Sequence, residues 1–174
     1  MTDMTEIDGK RFSFPQGWLV LKYDNSAFHR RQFQSFAGGS KAVDAVAVTN
    51  QHTVWLIEVK DYRRQRRSKH GTVFAEVAAK VLATLAGLAT ARVRANNDDE
   101  RDFAEQAMYC QNIRIALHLD QPRNPSRLFP NVVDPRTATQ LLRKEVQAVD
   151  RHAVCYGSGV NAGNLPWSVE CIAE

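Results

Sequence analysis

Three residues carry the chemistry that this sequence offers. Asp44 stands in the apolar run VDAVAV (43–48), and Glu58 and Lys60 end the run TVWLIEVK (53–60). An acid among residues that seek burial is costly unless something answers its charge. On a strand, residues two apart project to the same side about 6.6 Å apart along the axis. Glu58 and Lys60 therefore share a face with Val54 and Leu56, while Trp55, Ile57 and Val59 take the other. The runs are joined by TNQH, which has the length and chemistry of a hairpin loop. Folding the ribbon at 49–52 brings Asp44 opposite Ile57 or Glu58. Two like charges meeting there destabilise the sheet unless something positive sits between them, and a divalent cation would resolve that conflict.

Mg²⁺, or Mn²⁺ in its place, suits the donors. A hard ion of this kind takes oxygen ligands, keeps several waters and leaves room for substrate phosphates. Asp44, Glu58 and the backbone carbonyl of Val59 could supply three oxygens. Lys60 would then lie beside a metal-bound water, where a cation can depress its pKa and let it orient or deprotonate the attacking water. The metal would stabilise charge developing on the phosphate. The reaction so assembled is phosphodiester hydrolysis.

The charge pattern points to the same substrate class. Residues 60–69 read KDYRRQRRSK, with six of the 23 basic residues and one of the 19 acidic ones. The rest of the chain is close to neutral, so the overall +4 comes from this segment. Arg63, Arg64, Arg66, Arg67 and Lys69 are thereby expected to hold a nucleic-acid backbone through counterion release, with no base information. A merely solvated loop is the plain alternative. Tyr62 is left open as a base-stacking residue, and Trp55 reads as core.

The elements that must position these groups alternate. Residues 18–23 read as a strand after Pro15 and Gly17, and 26–36 fit neither period. The hairpin follows at 43–60. Phe74, Val77, Ala78, Val81, Leu82, Leu85, Leu88 and Ala89 recur at helical spacing, supported by the Glu76 and Lys80 pair. A second helix is expected from Asp98 to about Gln111, with acids in its first turn. Residues 113–119 alternate as a strand. A further helix is expected from Asp134 to Val149, with Asp134 as N-cap and Pro135 in the first turn. Residues 153–156 and 167–172 close the chain as short strands. This order indicates an α/β or α+β fold, a sheet with helices on its faces.

Asp44, then Glu58-Val59-Lys60 at a strand end, resembles the signature of the PD-(D/E)XK nuclease superfamily. The resemblance covers 43–63 and, more loosely, the flanking elements. It implies a restriction-endonuclease-like fold, with a central mixed β-sheet flanked by helices on both faces. It also implies metal binding by Asp44 and Glu58 and a water-assisting role for Lys60. The resulting expectation is a Mg²⁺-dependent endo- or exonuclease acting on nucleic acid, DNA favoured over RNA, with a homodimer as one way to cut two strands. A member of this fold that binds nucleic acid without cutting it, or serves as an assembly subunit, is the second reading. The third is a structural ion-pair network with no phosphate chemistry.

Length and composition bound the rest. A chain of 174 residues with 44% hydrophobic content can bury a core as one domain, 1–174. Cys110, Cys155 and Cys171 suit neither a disulfide framework nor a zinc knuckle, and His29, His52, His70, His118 and His152 are equally scattered. No run reaches the ~20 consecutive apolar residues of a membrane span. The polar start MTDMTEIDGKR is unlike a secretory signal. Reduced cysteines, no membrane partner and a cytoplasmic location are the expectations.

Overall fold

Residues 3–64, 67, 70–122, 124–158, 160 and 165–172 are described in the computed structural model. Among these residues eight strands run in chain order: β1 (Asp3–Ile7), β2 (Lys10–Phe14), β3 (Leu19–Leu21), β4 (Ala45–Val48), β5 (Thr53–Asp61), β6 (Asn112–Asp120), β7 (Val154–Tyr156) and β8 (Ser168–Cys171). Three α-helices, α1 (Val73–Arg94), α2 (Asp98–Tyr109) and α3 (Ala138–Val146), separate the later strands. The main sheet has the order β3-β4-β5-β6-β7, and a second sheet has the order β1-β2-β8.

The hairpin is the frame of the main sheet. β4 pairs antiparallel with β5, Ala45 facing Ile57 and Val48 facing Val54. Thr49 ties the turn, its Oγ1 accepting from the amides of Gln51 and Thr53 at 3.1 and 3.2 Å. Continued one step beyond β4, this register sets Asp44 opposite Glu58, one of the two pairings expected. β5, β6 and β7 are parallel neighbours, so the segments joining them must cross over, and α1, α2 and α3 lie in those connections. Right-handed crossovers stepping the same way along a sheet leave their helices on one face.

That topology corrects one expectation. Among the described residues the α-helices pack on one face of the main sheet. Val46, Leu56, Ile115 and Leu117 pack with Val77, Val81, Phe103 and Leu142 on the helical side. The opposite side, with Ala45, Trp55, Ile57, Val59 and Ala116, is covered by Ile7, Phe12, Phe14 and Trp167 around the small sheet. The fold is a mixed α+β arrangement in three layers: helices, main sheet, small sheet. Trp55 lies in this second core, as expected.

The first hairpin went unread in the sequence, although it carries a signal. Ile7 pairs with Lys10, so Asp8 and Gly9 alone make the turn, both at positive φ (48° and 72°). Asp-Gly is the residue pair that such a two-residue turn favours. The third helix is shorter than expected at Ala138–Val146. Asp134 does not cap it, because its carboxylate is taken by the amide and guanidinium of Arg136. α1 and α2 match the expected spans closely, capped by Thr72 and Asn97. Among the described helices α1 alone is long and apolar enough to cross a membrane, yet its Val73, Phe74, Val77, Val81, Leu88 and Ala91 are buried in the helical-side core.

Candidate functional site

Asp44 is held from three directions. The Val43 amide donates to Thr84 Oγ1 of α1 at 3.0 Å. The Asp44 carbonyl accepts from the Tyr23 amide at 3.0 Å, and its Oδ2 accepts from the Val59 amide at 2.6 Å. Val59 thus meets Asp44 through its N–H. Glu58 and Lys60 point to the helical side of β5, as the strand period requires.

The positive group between the two acids is an amine. Lys80, one turn before Thr84 on α1, places Nζ 2.5 Å from Glu58 Oε1 and 3.5 Å from Asp44 Oδ1. Helical spacing pairs Lys80 with Glu76, but its ammonium is turned instead to Glu58 and Asp44. Lys60 Nζ lies 2.6 Å from the same Glu58 oxygen and 3.3 Å from Glu76 Oε1. Arg67 lies 3.1 Å from Glu76 Oε2 and donates to the Tyr62 hydroxyl at 3.1 Å. Three carboxylates and three cations alternate in one chain, from Arg67 through Glu76, Lys60, Glu58 and Lys80 to Asp44.

Glu58 is completely buried, and its Oε2 has no hydrogen-bond partner among the described residues. Burial, helped by the Asp44 charge, pushes its carboxyl up to about 7 against the pull of Lys80 and Lys60. Burial opposes the Lys60 charge, but Glu58, Glu76 and Asp44 outweigh it and raise the amine above its ordinary range. The expected depression of Lys60 toward a proton acceptor is corrected: its neighbours are acids, so it stays an ammonium. Burial and Asp44 likewise raise Asp24, which lines a small 290 Å³ hollow with Asp44.

The metal expectation does not fit this arrangement. Lys80 Nζ fills the gap that Mg²⁺ or Mn²⁺ was expected to fill. Among the described residues no group of three or more His, Cys, Asp or Glu could hold a metal ion.

Two of the described arginines of the cationic segment are also spent on internal acids. Arg63 is bound to Asp61, with Nε 3.0 Å from both carboxylate oxygens, and Arg67 turns inward to Glu76. Arg64 is exposed and has a partner of its own. Arg66 and Lys69 lie outside the described residues. The expected backbone grip therefore loses Arg63 and Arg67 to internal acids.

A different basic surface emerges from residues far apart in sequence. Residues 29–33 form a single π-helical turn, anchored where Glu100 accepts the Ala27 and Phe28 amides at 2.7 and 2.8 Å. Gln32 in that turn donates to the Arg94 carbonyl at 3.0 Å and accepts from the Asn96 amide at 3.3 Å. Arg30 and Arg31 thereby stand beside the last turn of α1, which carries Arg92 and Arg94. All four are exposed, and none has an ion pair among the described residues. Sequence reasoning missed this surface because no window of the chain contains it.

A second buried charge cluster lies on the other face of the sheet. Lys10 of β2 is 1% exposed. It donates to Asp120 and lies 3.6 Å from Asp61 Oδ2. Burial would raise the Asp120 carboxyl, but His118, Lys10 and the Ser158 amide outweigh it and hold it far below the usual carboxylate range.

The chain is similar to a curated protein described as a cysteine–tRNA ligase from Neisseria meningitidis serogroup A / serotype 4A, 29% identical over 214 aligned residues. The similarity takes in 98% of this chain, which spans 30% of the relative's length. No family model and no solved structure matches the chain. The expectation of a metal-dependent nuclease is corrected by this finding: the relative is named as a tRNA ligase, not a nuclease, and the acids that were to hold the metal are bridged by Lys80.

Proposed function

We propose that this chain is a tRNA-binding module of aminoacyl-tRNA-synthetase-related function, an accessory to ligation rather than the seat of it. The similarity of nearly the whole chain to part of a cysteine–tRNA ligase carries this reading. The surface formed by Arg30, Arg31, Arg92 and Arg94 supports it, since guanidinium groups without internal acids are free to replace counterions along a phosphate backbone. The expected DNA partner gives way to tRNA, and the cytoplasm is the compartment that goes with it. As a finer assignment of fold, we read the main sheet as restriction-endonuclease-like: its hairpin presents Asp44 and Glu58-Val59-Lys60 at one end with α1 behind it. In this reading the alternating acids and cations hold α1 against β5 and take no part in binding RNA.

Fluorescence anisotropy with labelled tRNA, across a salt series, tests the proposal. Wild type should bind with a strong salt dependence. Arg30→Gln/Arg31→Gln/Arg94→Gln should bind at least tenfold more weakly and lower the slope of log K against log salt by roughly two to three, about one per lost phosphate contact. An unchanged slope would place the contacts elsewhere. No binding at low salt would remove tRNA as the partner.

A further inference from the structure

Because β5, β6 and β7 run parallel, their carboxyl ends lie together at one edge of the sheet, where ligands of open α/β sheets are received. A cavity of about 670 Å³ opens there, on the face covered by the small sheet, lined by Arg63, His118, Asp120, Tyr156, Ser158 and Trp167 among others. That volume suits a small ligand. It lies across the sheet from the Asp44 and Glu58 cluster and involves none of the basic surface at the end of α1.

Two observations mark it as a built site. The first is His118, which is 6% exposed, with Nε2 3.3 Å from Asp120 Oδ1 but neither buried ring nitrogen in a hydrogen bond among the described residues. A buried polar atom left unpaired is costly and calls for an explanation. The second is the aromatic wall. The His118 and Tyr156 rings meet edge to face at 4.7 Å, and Tyr156 and Trp167 do so at 6.2 Å. Tyr156 accepts the Trp167 indole N–H at 3.2 Å, which leaves its own hydroxyl hydrogen to donate.

Charge decides the class of occupant. Arg63 is matched by Asp61, and Lys10 by Asp120. The cavity therefore offers aromatic faces and hydrogen-bonding groups but no net charge to attract a phosphate or an amine. We infer that it binds a neutral, planar heteroaromatic ring of nucleobase type, stacked on aromatic side chains and hydrogen-bonded to the His118 imidazole. Base stacking on aromatic side chains tolerates any base, so the wall alone sets no strong sequence preference. The ring has two sources, a free nucleoside or an unstacked base of an RNA strand. The second rests on the proposed tRNA-binding function and the first does not.

Titration of the full chain with the four ribonucleosides and their 5′-monophosphates, followed by the Trp167 indole N–H signal in nitrogen-edited NMR, tests the inference. At least one nucleoside should shift that signal saturably, and its monophosphate should bind within about threefold of it. His118→Phe, which keeps the ring and removes the nitrogens, should weaken binding about fivefold or more. Saturation by the nucleoside alone assigns the site to free ligand. Displacement of the nucleoside by a single-stranded RNA oligonucleotide assigns it to an RNA base. No saturable shift in wild type with any nucleoside or monophosphate overturns the inference without reference to any variant, and so does a monophosphate preference above tenfold, which would make Arg63 an anion hook. Loss of tRNA binding in the arginine variant with nucleoside binding intact would separate the two proposals.

Discussion

If Lys80 is the positive group that lets Asp44 and Glu58 share one end of the hairpin, its removal should be felt as an unpaired buried charge. Lys80→Met keeps the aliphatic stem and deletes an ammonium lying 2.5 Å from Glu58 Oε1 and 3.5 Å from Asp44 Oδ1, with side-chain exposures of 11%, 1% and 16% for the three residues. Removing one partner of a buried pair costs about 3–5 kcal/mol. Lys60 stays 2.6 Å from the same Glu58 oxygen, so the lower end, about 3 kcal/mol, applies. For a chain of this length that is a fall in Tm of roughly 6–12 °C. The loss should depend on pH. Wild-type Glu58 already titrates at about 7 when folded against 4.5 in the reference state, and loss of Lys80 raises it further. At pH 8 the variant must bury a charge or take up a proton, whereas at pH 5 Glu58 is protonated and the deficit shrinks toward about 1 kcal/mol. Urea unfolding of both proteins at pH 5 and pH 8 measures this. Equal stabilities at pH 8, or a deficit that does not change with pH, would refute the reasoning. So would a rise of several degrees in wild-type Tm with about 5 mM Mg²⁺ that Asp44→Asn abolishes, since a ligand that binds only the folded state stabilises it.

Two other substitutions probe the same packing. Glu58 binds more protons folded than unfolded between pH 4.5 and about 7, so its contribution is present below that window and is lost as pH rises through it. Glu58→Gln should remove a decline of about 3 kcal/mol across the window, read as the difference between the two urea-derived stability profiles, and parallel profiles would count against it. Gly87 of α1 faces Tyr23, and a Cβ there would come 2.5 Å from the Tyr23 hydroxyl and 3.5 Å from the Phe33 ring. Gly87→Ala should therefore lower stability by about 1–2 kcal/mol despite the better helix propensity of Ala. Adding Tyr23→Phe, which removes the crowded oxygen, should recover most of that loss in a double-mutant cycle.

Local pattern carried most of the fold. The alternation in 43–60, the four-residue recurrence in 74–89 and the acids of 98–100 each found the element they predict, because strand and helix period are properties of short windows. What escaped depended on contacts between windows. The face that the helices leave bare is settled by the sense of two crossovers, and the strands that cover it come from the two ends of the chain. The candidate site was legible to the same degree. Glu58 follows from the loop length as one of two partners for Asp44, but the group that answers their charge comes from α1, 22 residues beyond Glu58, where its spacing from Glu76 suggested an ordinary surface pair. In the same way, the run of arginines after β5 looked like an exposed patch because Glu76, which takes Arg67, comes from α1, and a single acid within the run, Asp61, gives no sign in the sequence that it holds Arg63.

Two lysines, Lys10 buried and Lys80 mostly so, show how the end of β5 is specified. Alternate residues there serve opposite faces: Glu58 and Lys60 look toward α1, while Asp61 looks toward the small sheet. Each face receives one lysine from an element that does not neighbour β5 in its sheet. Lys80 of α1 lies within 3.5 Å of Glu58 and Asp44, and Lys10 of β2 lies within 3.6 Å of Asp61 and Asp120. A one-residue slip of β5 would turn every side chain to the wrong face, leaving Lys80 against Ile57 and Lys10 against Lys60. Buried ion pairs add little net stability over apolar residues of the same size, but a wrong register strands their charges. The same pairing neutralises both ends of the sheet edge. Among the described residues, what stays without a hydrogen bond in these two clusters is Glu58 Oε2 on one side, where burial raises the carboxyl, and the two ring nitrogens of His118 on the other, in the wall of a cavity.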